Sequence, residues 1–387
     1  MTIFDEKVDR MQTASFKWER TENIFGAKDL LPMWVADMDF RPPQAVIDAL
    51  KKRVEHGIFG YTFIPESTNK AIQYWLNKRH NWKIESETIL YANSVVESIS
   101  VAIQTYTKPG DKVLLQSPVY TPFFEMIEKN GRVVANSPLK LNGARYDIDF
   151  ETFEQELKNG CKLFLLCNPH NPGGRVWSRE ELLKIGELCL KYDCLIVADE
   201  IHSDLVYQSH KHYPMASLSN ELAEITITCI SPSKTFNLAG LQASAIVIHS
   251  KEMREQFFNT QRRHGFFSLN TFGILAMEAA YQNGEMWLEE LMDYLEGNKQ
   301  FAISYLAENL PQLTYMEPDA TYLLWIDCRK LALSDKEIKK LLIEKGKLAL
   351  EPGQKYGLGG EGFVRLNFAC PREMLADALE RLKKAFA

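Results

Sequence analysis

Ser231-Pro232-Ser233-Lys234 sets a lysine among small hydroxyl residues, directly after the apolar run EITITCI (224–230) and shortly before ASAIVIHS (243–250). A strand-end lysine ordinarily reaches water along its own stem, so Lys234 alone implies no chemistry. Three other strand-like runs end in suggestive residues. KLFLLCN (162–168) leads into Asn171-Pro172-Gly173-Gly174, a turn that leaves an amide side chain at the strand end. CLIVADE (194–200) closes on Asp199 and Glu200, and a carboxylate there is costly unless it is paired. His202 either faces the same place or is a packed, hydrogen-bonded histidine. TILYA (88–92) runs through Asn93 and Ser94 into an apolar helix, whose first amides, at Val95 and Val96, either bind an anion or are simply capped.

The elements that must position these residues form an alternating series. Strands are predicted at 112–116, 162–168, 194–200, 224–230 and 243–250. Helices are predicted at 122–131 and 178–192, the second opened by a capping box of Ser178 and Glu181. Runs that are apolar on both faces suit a sheet covered by helices on both sides. The reading is an α/β fold with a mostly parallel sheet, whose ligands bind beyond the carboxyl ends of the strands. Residues 1–45 read as an irregular N-terminal segment. Helical stripes follow at 44–57 and 67–80, and helical patterns dominate 251–310. Beyond Pro311, strands at 321–328, 347–351 and 362–369 and helices at 334–345 and 371–386 form a smaller α+β domain. The expected division is 1–45, a large domain 46–285, and a small domain 286–387.

Composition narrows the function classes. The chain of 387 residues carries a net charge of −6 and no long basic run, which argues against nucleic acid or an anionic membrane as a partner. MTIFDEKVDR lacks the apolar stretch of a signal peptide, and no segment approaches the ~18 consecutive apolar residues of a membrane span. Seven scattered cysteines without a CxxC fit reduced thiols in a cytoplasmic enzyme. His210 and His212, in HKH, have no partner cluster in sequence and read as a solvated loop. Trp75, Trp82 and Trp287 read as packing residues.

An amine, an amide, an acid and a phosphate-ready helix start together meet the needs of one cofactor. Pyridoxal 5′-phosphate takes a Schiff-base lysine, a carboxylate for its ring nitrogen, a donor to its ring hydroxyl and an anion site for its phosphate. The chain also resembles a fold-type I pyridoxal phosphate enzyme of the aminotransferase superfamily, and within it the MalY/PatB-type cystathionine β-lyases, or cysteine C–S lyases. The resemblance spans the chain. It rests on MWVADMDF (33–40), GYT (60–62), SPVYTPF (117–123), NPHNPGGRVW (168–177), ADEIHSDL (198–205), SPSKTFNLAGL (231–241) and GFVRLNFACP (362–371). It implies a large domain with a mostly parallel seven-stranded sheet and an α+β C-terminal domain. It implies that Lys234 carries the cofactor, Asp199 pairs with its ring nitrogen, and Asn171 bonds its ring oxygen. His202 stands where many relatives place a tyrosine. Ser231, Ser233 and the amides of Val95 and Val96 match phosphate ligands. Tyr120 stacks on the ring, and Tyr61 reaches the phosphate of the neighbouring subunit of a homodimer. Arg365 matches the arginine that binds the substrate α-carboxylate, with Val35 and Ala36 lining the same end.

The activity so implied is α,β-elimination from L-cystathionine or L-cysteine-type substrates to pyruvate, ammonia and a thiol or sulfide. Lys234 takes the Cα proton, and Lys234, Tyr120 or Tyr61 protonates the leaving sulfur. An aminotransferase using the same core residues is the first alternative, and a regulatory protein that retains the cofactor is the second. Two positions depart from relatives: Gln242 replaces an arginine common near the phosphate, and Ser94 replaces a glycine.

Overall fold

The computed structural model describes residues 2–386. Seven strands form the main sheet: β1 (Ile89–Ala92), β2 (Lys112–Leu115), β3 (Val133–Asn136), β4 (Leu163–Cys167), β5 (Leu195–Asp199), β6 (Thr226–Ile230) and β7 (Ser244–Ile248). Their spatial order is β1-β7-β6-β5-β4-β2-β3. All pairings are parallel except those of β7, which runs antiparallel to both its neighbours.

The central strands show why both faces had to be apolar. On β4, Leu163, Leu165 and Cys167 pack into one core with helix Val95–Tyr106. The alternate residues Phe164 and Leu166 pack into another, against helices Phe150–Lys158 and Arg179–Lys191. Side chains alternate across a strand, so each strand feeds two layers. Fully burying an aliphatic or aromatic side chain contributes roughly 1.5–3 kcal/mol, so a strand buried on both faces stabilises both layers. The Ser178–Glu181 capping box forms as the sequence predicts.

A second sheet of four antiparallel strands, Thr314–Met316, Leu323–Asp327, Phe363–Asn367 and Glu351–Pro352 in spatial order, is packed by helix Arg372–Phe386 and the long helix Glu285–Asn309. Trp75, Trp82 and Trp287 are all buried.

Several sequence expectations need correction. Residues 1–45 are not merely irregular. They carry short helices at Phe16–Glu19 and Thr21–Phe25, and Leu31–Pro32 pairs in parallel with Leu348–Ala349. Pieces of two to five residues are too short to show a period. The predicted strand 347–351 splits: Leu348–Ala349 joins that small pairing and Glu351–Pro352 joins the four-stranded sheet. Strand β3 went unread because it is a half-exposed edge strand with a weak apolar pattern. His212 is buried and bonds Glu200 Oε2 at 3.1 Å, so HKH is not wholly solvated.

Candidate active site

The carboxyl ends of β4, β5 and β6 and the start of the helix after β1 meet the small sheet at a cavity of about 720 Å³. Of the residues singled out from sequence, Lys234, Asp199, Asn171, His202, Ser231 and Ser233 line it. So do Val95, Val96, Tyr120, Arg365, Val35 and Ala36. Tyr61 does not: it stands fully exposed on an outer loop.

Asp199 is the last residue of β5, in register with Cys167 on β4 and Cys229 on β6. It faces the cavity. Glu200, the next residue, turns away to accept from His212 and from the Met215 amide at 2.8 Å. Burial pushes the Asp199 carboxyl up to about 7, against the lowering effects of the Ile201 amide and of Lys234. Asp204 also turns away from the cavity and accepts from the Trp75 indole at 3.0 Å and the Thr235 hydroxyl at 2.8 Å.

Lys234 follows β6 on a single helical turn opened by Ser231. Its Nζ donates to the Ala36 carbonyl at 2.6 Å. Burial holds this amine down at about 8, with Asp37 raising it and Arg365 lowering it. The Ser231 hydroxyl donates to the Ala243 carbonyl at 2.8 Å and lies 2.9 Å from the Ser233 hydroxyl. Ser94 caps the helix Val95–Tyr106 by accepting from the Glu97 amide at 3.1 Å, which leaves the Val95 and Val96 amides without intrahelical acceptors. Its φ of −158° is ordinary extended backbone, so serine replaces glycine there without strain. Gln242 is exposed, with a left-handed φ of +51°.

Arg365 reaches the cavity from the other sheet. Its guanidinium is 4% exposed, and donates to Asn171 Oδ1 at 3.0 Å and to the Trp34 carbonyl at 2.7 Å, while Nε has no partner. Among the described residues none of Lys234, Asp199 and Arg365 has an ion-pair partner within 4 Å. Ionisable groups drawn out of water without counter-ions are expensive, so this cavity suits an occupant that carries complementary charge. Burial also drives His202 down to about 3, leaving a neutral ring whose Nδ1 is unpartnered. Tyr120 is pushed up to about 12 by burial and then by Asp199. An amine, a buried acid, a free pair of helix amides with two serines, and an orphaned imidazole nitrogen fit a phosphorylated pyridine aldehyde. The guanidinium fits a carboxylate beside it.

Sequence reasoning missed the residues that hold this arrangement. Asn367 Nδ2 donates to the carbonyls of Val35 and Asp37, both at 2.6 Å. Tyr322 donates to the Ala36 carbonyl at 3.0 Å. Asn367 lies two residues after Arg365 on the same strand, so strand alternation was the available signal. Among the described residues no group of three or more His, Cys, Asp or Glu could hold a metal.

A lysine, an acid and an amide at the carboxyl edge of a seven-stranded sheet, faced by an arginine from a second sheet, define a fold-type I pyridoxal phosphate enzyme. The chain belongs to the aminotransferase class I and II family, whose model matches residues 28–382. It is 51% identical over 385 residues to cystathionine beta-lyase PatB of Bacillus subtilis (strain 168), across 99% of this chain and 100% of that protein. Cystalysin from Treponema denticola, whose crystal structure contains a pyridoxal 5′-phosphate cofactor, superposes with a TM-score of 0.96 at 34% identity, covering 99% of this chain and 98% of that one. The PLP-bound C–S lyase from Staphylococcus hominis superposes with a TM-score of 0.93 at 32% identity, with the same coverage.

Proposed function

We propose that this protein is a pyridoxal phosphate-dependent carbon–sulfur β-lyase that cleaves cystathionine- or cysteine-type substrates. The observation that carries the reading is the convergence on one cavity of Lys234, half-buried, and Asp199 and Arg365, both buried, none of the three with an ion-pair partner. The lyase rather than transaminase assignment is supported by half-identity to a cystathionine beta-lyase along the whole chain.

Lys234 would hold the cofactor, Asp199 would pair with its ring nitrogen, Asn171 and His202 would serve its ring oxygen, and Tyr120 would cover the ring. Ser231, Ser233 and the amides of Val95 and Val96 would receive the phosphate. When bound, the cofactor supplies the electron sink that makes a Cα proton removable. Arg365 holds the substrate α-carboxylate in a two-point fork. That fixes Cα within reach of Lys234, whose amine, held down at about 8, is a competent base near neutral pH. Once the substrate amine has taken its place on the cofactor, the freed Lys234 Nζ takes the Cα proton, the Cβ–S bond breaks, and sulfur leaves as thiolate. That thiolate regains a proton from Lys234, Tyr120 or the neighbour's Tyr61. With one water consumed, the carbon skeleton leaves as pyruvate and the nitrogen as ammonia.

The experiment supplies L-cystathionine or L-cysteine without any keto acid and follows pyruvate. Many turnovers with equimolar thiol or sulfide are expected. One turnover that resumes only with added keto acid makes the protein an aminotransferase.

Three further readings belong here. The functional unit is a homodimer with shared sites: Ile58, Phe59, Tyr61 and Phe63 form an exposed apolar loop beside the cavity-bearing body, of the kind that marks an interface. The chain divides near residue 285, where the long helix Glu285–Asn309 begins, with residues 1–45 joining the small domain. The protein works in the cytoplasm. All seven cysteines are free and buried, as a reducing compartment allows, and no helix among the described residues is long and apolar enough to cross a membrane.

A further inference from the structure

The open side of the cavity carries charges that the chemistry at Cα does not use. Glu351 stands directly across the ladder from Arg365, their Cα atoms in register. Directly opposed residues present their side chains on one face of a sheet, and both line the cavity. They do not pair with each other. Glu351 instead takes the Lys355 ammonium at 2.7 Å, and Lys355 also lines the cavity, as does Glu125.

The loop bearing Lys355 is pinned in place. The Thr121 hydroxyl donates to the Lys355 carbonyl and the Val119 amide to the Tyr356 carbonyl, both at 2.9 Å. Gly353 and Gly360 approach so closely that a Cβ on Gly353 would stand 2.1 Å from the Gly360 oxygen. A fixed acid–base pair thus sits at the solvent side, next to the guanidinium.

We propose that Glu351 and Lys355, with Glu125 nearby, form a subsite for a second α-amino-acid group at the far end of the substrate. Glu351 receives the distal ammonium and Lys355 the distal carboxylate. This rests on the β-lyase reading and names its substrate class: S-substituted cysteines whose substituent ends in an ammonium–carboxylate pair, as in L-cystathionine, over L-cysteine and S-alkyl cysteines. On binding, one protein ion pair opens and two ion pairs form, so the charges stay compensated. A substrate without distal charges leaves the pair closed and gains nothing from it.

The test compares kcat/KM for L-cystathionine and for S-methyl-L-cysteine in the wild-type holoenzyme and in Glu351→Gln, Lys355→Met and Lys355→Arg. The cystathionine to S-methylcysteine ratio is expected to fall about tenfold in the first two, a modest loss because the pair is partly exposed, and to be largely retained in Lys355→Arg. A second measurement does not need turnover. Calorimetry compares L,L-2,7-diaminosuberate, which replaces sulfur by methylene, with L-2-aminooctanoate, which lacks the distal zwitterion. Wild type should prefer diaminosuberate, and Glu351→Gln and Lys355→Met should lose the preference. An unchanged ratio, or equal affinity of wild type for the two analogues, overturns the subsite. If Lys355→Met weakens both substrates equally, the lysine serves only to keep Glu351 off Arg365, and the proposal is wrong. If wild type cleaves neither substrate but still prefers diaminosuberate, the lyase reading fails while the subsite stands.

Discussion

Arg365 and Asp199 show what single residues contribute and how each can be checked. Arg365 is buried with its charge bonded only to an amide oxygen and a backbone carbonyl. A charged hydrogen bond of the kind it offers a substrate contributes roughly 1.5–3 kcal/mol, so Arg365→Ala should lower kcat/KM at least about tenfold. The cofactor absorbance should stay near normal; an unchanged kcat/KM would assign Arg365 to structure. Asp199 makes a pH prediction for protein stripped of cofactor. Its folded value, about 7, lies above the ordinary carboxylate value of 3.8. Between those two values the folded state binds more protons than the unfolded one, so stability falls as pH rises through that window. Asp199→Asn cannot ionise. Its melting temperature should match wild type near pH 4 and exceed it progressively up to about pH 8. A difference that does not grow with pH would show that Asp199 is not held protonated by burial. Depressed Lys234 acts in a separate window, from about 8 to its usual 10.5, where stability rises with pH.

At the scale of elements, the stretch Trp34–Phe40 is a strap whose backbone carbonyls serve the site. Trp34 and Ala36 accept from Arg365 and Lys234. The strap is fastened from three sides: Asn367 on the small sheet, Asn237 just after the lysine turn, and the N-terminal segment. From the last, Lys17 reaches Asp39 Oδ2 at 2.6 Å with no solvent exposure, and Arg10 bonds both Asp37 and Asp39. Burial alone would raise Asp39, but Lys17, the Trp18 indole and Arg10 hold it below the ordinary carboxylate value. Breaking a buried ion pair typically costs 3–5 kcal/mol. With Arg10 still present, Lys17→Met should destabilise by about 3 kcal/mol, readable by urea denaturation. A loss below about 0.5 kcal/mol, the range of surface substitutions, would mean that the strap does not depend on Lys17.

At the scale of the molecule, one chain leaves Tyr61 outside its own cavity, on a loop whose apolar side chains face solvent. A symmetric dimer that delivers this loop to the neighbouring cavity accounts for both features. Mixing Lys234→Ala chains with Tyr61→Phe chains should restore activity above the sum of the parents. One site of each hybrid then has both residues intact, so random pairing yields about a quarter of wild-type activity. A fully active monomer by sedimentation, or no gain on mixing, would contradict shared sites.

The sequence by itself determined the sheet and most of its edge chemistry. Long apolar runs alternating with capped helices have few ways to bury both faces, and Lys234, Asp199 and Asn171 fall at strand ends because their motifs sit there in the chain. Arg365 was legible only as a member of a recognised set of motifs, since a lone guanidinium in a strand carries no label. Which of Asp199 and Glu200 faces the site was decided by strand parity at the end of β5, a property of the sheet and not of the pair. The strap, the Glu351–Arg365 register and the cavity rim belong to the tertiary structure alone. They join residues as much as 332 positions apart only when separate elements dock. Backbone carbonyls leave no mark in a sequence, so the contacts of Ala36 and Trp34 with Lys234 and Arg365 could be found nowhere but in the folded chain.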